Sequence, residues 1–270
     1  MPRRSVLARN QTSLVITCEV VIVLAVLAAW QWLPQIPWVR ENTFLDPFVI
    51  SSPQLVGQTL WDLLSGTNGR AAVWSFVWPT VTSSLVGLVI GLVLGALVGL
   101  LLSNSPFVNR VLRPFLVGLN AVPRVAIIPV VVIIFGPGYE ASVFNAIMVV
   151  FFVAFFNAYE GGRTVTAHLL ENAQVLGASK GQIMATIRLP YVFAWTVAAL
   201  PLAATFSLLV VVTGEILTGA NGMGKILSVA TVSVDSATTF AVVIILAVLG
   251  VAIVGATSLI ERRILHWWGK

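Results

Sequence analysis

The chain has 270 residues, 58% of them hydrophobic and 9% charged, with a mean hydropathy of +0.99. This composition excludes a soluble globular domain and indicates a multi-spanning membrane protein. The pI near 10.0 reflects 15 Lys and Arg against 10 Asp and Glu. Basic residues beside membrane spans meet anionic lipid headgroups, so the excess needs no nucleic-acid partner.

Continuous apolar runs predict six spans: Leu14 to Leu33, Leu85 to Leu102, a broken run from Pro114 to Phe135, Val143 to Tyr159, Val192 to Thr213 and Phe240 to Ile260. Each is near the ~20 residues that cross a bilayer as a helix. The runs do not alternate in polarity as barrel strands would, so the fold class is an all-α membrane bundle. The first run follows Arg3, Arg4 and Arg9 and ends at Trp30 and Trp32. We read it as an uncleaved span with an interfacial belt rather than a secretory leader. It carries Glu19 and also Cys18, the sole cysteine, so no intrachain disulfide or thiolate metal site can form.

Between the first two runs, Ser52 is placed to cap a short helix and Pro53 suits its first turn. Val56, Leu60, Trp61, Leu63 and Leu64 give it an apolar face for the membrane surface, and Gly66 closes it. Trp38, Trp74 and Trp78 fit the same outer belt. In the second span Gly87, Gly91, Gly95 and Gly99 share one face, which predicts close packing, either within the chain or between subunits. Arg124 divides the third run, with Pro123 and Pro129 interrupting helical bonding. Either Pro114 to Arg124 lies at the cytoplasmic surface, or Arg124 lines a wet cavity, because an intramembrane charge costs about 3 kcal/mol or more.

Glu171 to Pro190, ENAQVLGASKGQIMATIRLP, is a polar insert between the fourth and fifth runs. Gly177 predicts a helix stop and Ser179 with Gln182 a capping box, so two short helices meet at a corner. Joining two spans needs only about two to eight residues, so the longer insert implies a docking role. Placing the basic residues on alternating sides puts Arg3, Arg4, Arg9, Arg110, Arg113, Arg163, Lys180, Arg188, Arg262, Arg263 and Lys270 on one face, against Arg40, Arg70 and Lys225 on the other. This bias predicts that both termini and the insert are cytoplasmic.

Gly219 to Lys225, GANGMGK, has the glycine and lysine spacing of a phosphate-binding loop, but Ile226 replaces the hydroxyl residue and no strand precedes it. We read it as an irregular outer hairpin that starts at Glu215. His168 and His266 lack partners at metal-ligand spacing, and no nucleophile motif is present. Glu160 and Glu215 fall at span edges, where carboxylates snorkel, which leaves little for ion coupling. Any uphill transport is therefore expected to draw energy from a nucleotide-hydrolysing partner. A gradient-driven carrier and a non-transporting scaffold are the competing classes.

The insert resembles the EAA motif of permease subunits in binding-protein-dependent ABC importers. Glu171, Ala173, Gly177, Ile187, Leu189 and Pro190 match its spacing, whereas Asn172 replaces an alanine. Leu119 to Gly138 and Gly214 to Gly224 are similar to segments of the nitrate, sulfonate and taurine branch. The resemblance implies the type I importer fold, with an N-terminal helix and external segment at 1–79, a transport core at 80–262 and a cytoplasmic tail at 263–270. It implies a coupling helix in which Glu171, Asn172, Ala173, Gly177, Ala178 and Ser179 meet a cytoplasmic ATPase subunit. ATP and Mg would be used by that partner, with no cofactor in this chain. A second permease copy and an external solute-binding protein would complete the assembly. For the pathway the candidates are Asn120, Arg124, Asn145, Ser207, Thr213 and Glu215, with Asn157 and Thr205 as further polar groups in the central spans. The implied solute is a sulfonate, nitrate, taurine or a related small organic molecule.

Overall fold

The structure, a computed structural model, describes residues 3–42, 46–67 and 72–266. Arg70, Lys270 and the end of the predicted tail lie outside the described residues. In chain order the helices are α1 (Arg3–Trp32), α2 (Pro37–Asn42), α3 (Pro47–Ile50), α4 (Pro53–Ser65), α5 (Trp74–Asn104), α6 (Pro106–Ala121) and α7 (Arg124–Phe135). They continue with α8 (Tyr139–Arg163), α9 (Ala167–Val175), α10 (Lys180–Ile183), α11 (Leu189–Ala198), α12 (Leu200–Thr218), α13 (Met223–Val232) and α14 (Ser236–Ile264). Among the described residues five helices are long and apolar enough to cross a membrane, or six if α6 and α7, bent by 93°, form one broken span.

The chain divides into two compact units, Met1–Ala72 with Ala230–Val242, and Val73–Val229 with Val243–Lys270. In the first unit α4 forms as its sequence predicts: Ser52 Oγ accepts from Leu55 N–H at 3.3 Å, Pro53 occupies the first turn and Gly66 ends the helix at φ +71°. Val56 and Leu63 are buried within the protein, and Trp61 is left exposed. Trp30, at the end of α1, donates its indole N–H to the Ile50 carbonyl at 3.0 Å and makes a tilted ring contact with Phe240 at 5.3 Å.

The second unit is built on α5 and α8. A Cβ added at Gly91 would lie 2.8 Å from Val150 Cβ and 2.9 Å from the Ile147 carbonyl, and one at Gly99 would lie 2.6 Å from Ala158 Cβ. Gly87 and Gly95 are closed in the same way by Ala146 and Ala154. The four-residue repeat of glycine on α5 thus meets Ala146, Val150, Ala154 and Ala158 on α8, so the predicted glycine face is an intrachain contact. With hydrocarbon on every side there is no hydrophobic gain from pairing helices; dispersion at close approach holds them together. Phe155 and Tyr159, buried against Leu102, extend the contact toward the ends of both helices, where Val108 and Leu116 of α6 join.

Two boundaries differ from the sequence reading. The predicted span from Val192 to Thr213 is two helices, because Pro201 cannot donate into the turn before it; α11 ends at Ala198, and α12 is the helix long enough to cross. The expected irregular hairpin after Glu215 is short, since α13 begins at Met223 and takes up Gly224 and Lys225. Gly95→Leu should force α5 and α8 apart and lower the thermal midpoint of the purified chain by about 5 °C or more. Gly118→Ala, at a position where a Cβ meets nothing within 4 Å, should leave the midpoint essentially unchanged.

Candidate functional site

Helices α9 and α10 form the corner expected between spans. Gly177 N–H donates to the Gln174 carbonyl and Ala178 N–H to the Ala173 carbonyl, each at 2.9 Å, the paired bonds of a Schellman stop. Gly177 has φ +84° and open space around it, so the bar to a larger residue is torsional rather than steric. Ser179 Oγ accepts from Gln182 N–H at 3.3 Å while Gln182 Oε1 accepts from Ser179 N–H at 2.8 Å, completing the capping box. Glu171 and Asn172 are exposed, the Asn172 amide meeting His168 Nδ1 at 2.9 Å. Ala173 and Ala178 are half-buried. At the tip Val175 and Leu176 are each 86% exposed, an apolar pair left open at the corner.

A π-helical turn, Met184–Arg188, links the corner to α11. Arg188 reaches back from it to the Ser103 carbonyl at 3.4 Å and to Asn104 Oδ1, at the end of α5. Beside it Gly161 approaches Trp195, where a Cβ would lie 2.7 Å from the tryptophan Cβ. The insert is therefore fastened to the core at its C-terminal end, and the helices that flank it, α8 and α11, are packed together.

Glu215, expected to snorkel at a span edge, is 1% exposed. Its carboxylate accepts from Thr80 Oγ1 at 2.8 and 3.0 Å and from Gly224 N–H at 2.9 Å, and Thr80 Oγ1 in turn accepts from Met223 N–H at 2.9 Å. Glycine is needed at 222 and 224 for this approach: a Cβ at Gly222 would overlap the carboxylate, and one at Gly224 would lie 2.6 Å from Glu215 Cβ. The knot fastens α12, the start of α13 and α5 together. Ser207 does the same one level along, donating to the Ser84 carbonyl at 2.7 Å.

The remaining pathway candidates fall into three groups. Thr213, Thr205 and Asn157 donate to carbonyls of their own helices, at Leu209, Pro201 and Val153. Asn145 is buried beside Gly214 and Ile128, where α7, α8 and α12 meet. Asn120 and Arg124 come together across the bend between α6 and α7, the Arg124 Nη2 donating to Asn120 Oδ1 with the guanidinium over the Phe152 ring at 5.5 Å. Sequence reasoning missed Thr80, Phe152 and Arg188. Nothing local marks them, because the partners of Thr80 and Arg188 lie 135 and 85 residues away.

Residues 87–266 match the family described as the binding-protein-dependent transport system inner membrane component. The chain belongs to this family. Its members here include the riboflavin transport system permease protein RibX of Chloroflexus aurantiacus, 29% identical over 82% of this chain and 81% of that protein. The taurine transport system permease protein TauC of Escherichia coli is 23% identical over 92% of this chain and 88% of that one. Structures of inward-facing conformations of the MetNI methionine ABC transporter share the fold, with a TM-score of 0.59 over 70% of this chain and 94% of the other at 21% identity. The protein is thus a multi-pass membrane permease, a transport component rather than a catalyst, and the gradient-driven alternative finds no support.

Thr80→Val keeps the shape of the side chain but leaves the Glu215 carboxylate with one donor. It should cost about 2–4 kcal/mol and open the chain near Gly219 to Gly224 to limited proteolysis, whereas Thr80→Ser should behave as wild type.

Proposed function

We propose that the chain is the permease of an ATP-driven importer and that the corner formed by α9 and α10 docks a cytoplasmic ATPase subunit. The observation that carries this reading is a stiff, exposed elbow with Val175 and Leu176 uncovered at its tip, fastened to α5 through Arg188 and continuous with α11. Glu171 supplies a charged contact at its side, with Asn172, Ala173, Gly177, Ala178 and Ser179 forming the close surface. ATP and Mg belong to the partner, whose movement is transmitted through the elbow. Both termini and the elbow are cytoplasmic, from the distribution of Arg and Lys. A second permease copy completes the pathway, and an external binding protein delivers a small solute. Relatives named for riboflavin, formylaminopyrimidine, aliphatic sulfonates and taurine support a small solute such as a sulfonate, nitrate, taurine or a related organic molecule.

The test is co-purification of the tagged chain from native membranes, with ATPase activity assayed in each preparation. Wild type should carry ATPase activity. Glu171→Arg should lose most of it by reversing the contact charge, and Gly177→Val should lose it by straining the corner, both while remaining inserted in the membrane. Undiminished ATPase activity in both variants would refute the docking role of the elbow.

A further inference from the structure

Arg124 stands apart from the other basic residues of its unit. Arg113 and Arg163 lie over the Tyr159 ring, near the last turn of α8, at 5.7 and 5.4 Å. Arg124 lies over Phe152, midway along that helix and so near the middle of the span. Its position at the start of α7 follows from the break at Val122 and Pro123, which turns the chain by 93°. This depth favours the wet-cavity reading of Arg124 over a surface location.

At such a depth a guanidinium must be compensated, and what the protein supplies is partial. Asn120 Oδ1 takes one N–H and the Phe152 face takes part of the charge, but no carboxylate pairs with Arg124 among the described residues. Most of its five N–H donors remain available on a half-buried side chain. Among the acidic groups in the long helices of this unit, Glu140, Glu160 and Glu261 lie within a turn of the ends of α8 and α14, and Glu215 is enclosed and held by Thr80 and Gly224, so none presents a charge to a solute at mid-span. The fixed charge offered at mid-span is therefore positive.

We propose that Arg124 is the recognition charge of the pathway and that the transported solute presents an anionic group to it, a carboxylate, sulfonate or other oxyanion. The inference rests on the importer reading above. Asn120 and Phe152 are positioning residues that keep the guanidinium from turning to lipid headgroups. A single half-exposed charge suits a transport site, because it attracts an anion without the full enclosure that would trap it.

The experiment uses the absence of other thiols once Cys18, the sole cysteine, is changed to serine. Ala121→Cys places one thiol at an exposed position across the bend from Arg124. In native membrane vesicles containing the full chain, its rate of modification is measured with the anionic sulfonatoethyl and the cationic trimethylammonioethyl methanethiosulfonates. The anionic-to-cationic rate ratio should fall about tenfold on Arg124→Gln and be retained on Arg124→Lys. An unchanged ratio on Arg124→Gln overturns the proposal, and so does a thiol that neither reagent reaches. ATPase co-purification from the same vesicles separates the two readings: if it is retained while the ratio is unchanged, only the anion assignment fails, and if it is absent the importer reading fails.

Discussion

The contact between α5 and α8 is the constraint on which the transport core depends. In lipid, apolar side chains gain nothing by leaving their surroundings, so two helices stay together only if their backbones can come close enough for dispersion to outweigh the lipid they displace. Gly87, Gly91, Gly95 and Gly99 remove every obstacle on one face of α5, and the alanines and Val150 of α8 fill the grooves. Helix α12 and the turn that leads into α11 are then hung on α5 by polar bonds with little tolerance in distance. Ser207 reaches the Ser84 carbonyl, Glu215 reaches Thr80, and Arg188 reaches the end of the helix at Asn104. A shift of an ångström in α5 would break all three.

What could be read from the sequence was what depends on neighbours a few residues apart. The glycine face, the Ser52 cap, the Gly177 stop and the Ser179 capping box are written within single turns, and the structure forms each of them. The apolar runs located the spans but not their ends, because helices such as α8 continue past the hydrocarbon at both termini. The rest depended on distant partners. Hydropathy reads Leu200 and Pro201 as ordinary span residues and so misses the break before α12. It reads Glu215 as a charge to be kept wet, because Thr80 and Gly224, which satisfy it, are placed beside it only by folding.

Glu215 and Arg124 show two solutions to one problem. A carboxylate with hydroxyl and amide donors turned toward it becomes a fastening, and its charge is confined. A guanidinium with one amide acceptor and one aromatic face keeps its direction but not its neutrality. The first gives the unit rigidity where α12 and α13 join; the second leaves a half-exposed positive charge at the bend between α6 and α7. Both positions would look alike in a count of charged residues within spans.

The elbow and the π-helical turn that follows it differ in stiffness. Within the elbow two backbone bonds and a reciprocal cap fix the torsions on both sides of Gly177. The π turn at Met184–Arg188 is a wider coil with poorer bonding, a form uncommon in helices and frequent where they function. A displacement applied at Val175 and Leu176 would therefore move the elbow as a solid lever, and the strain would gather at Met184–Arg188. Under the docking role proposed for the elbow, that turn would be the spring of the linkage, with Arg188, at its end and hooked to Asn104, setting its rest position.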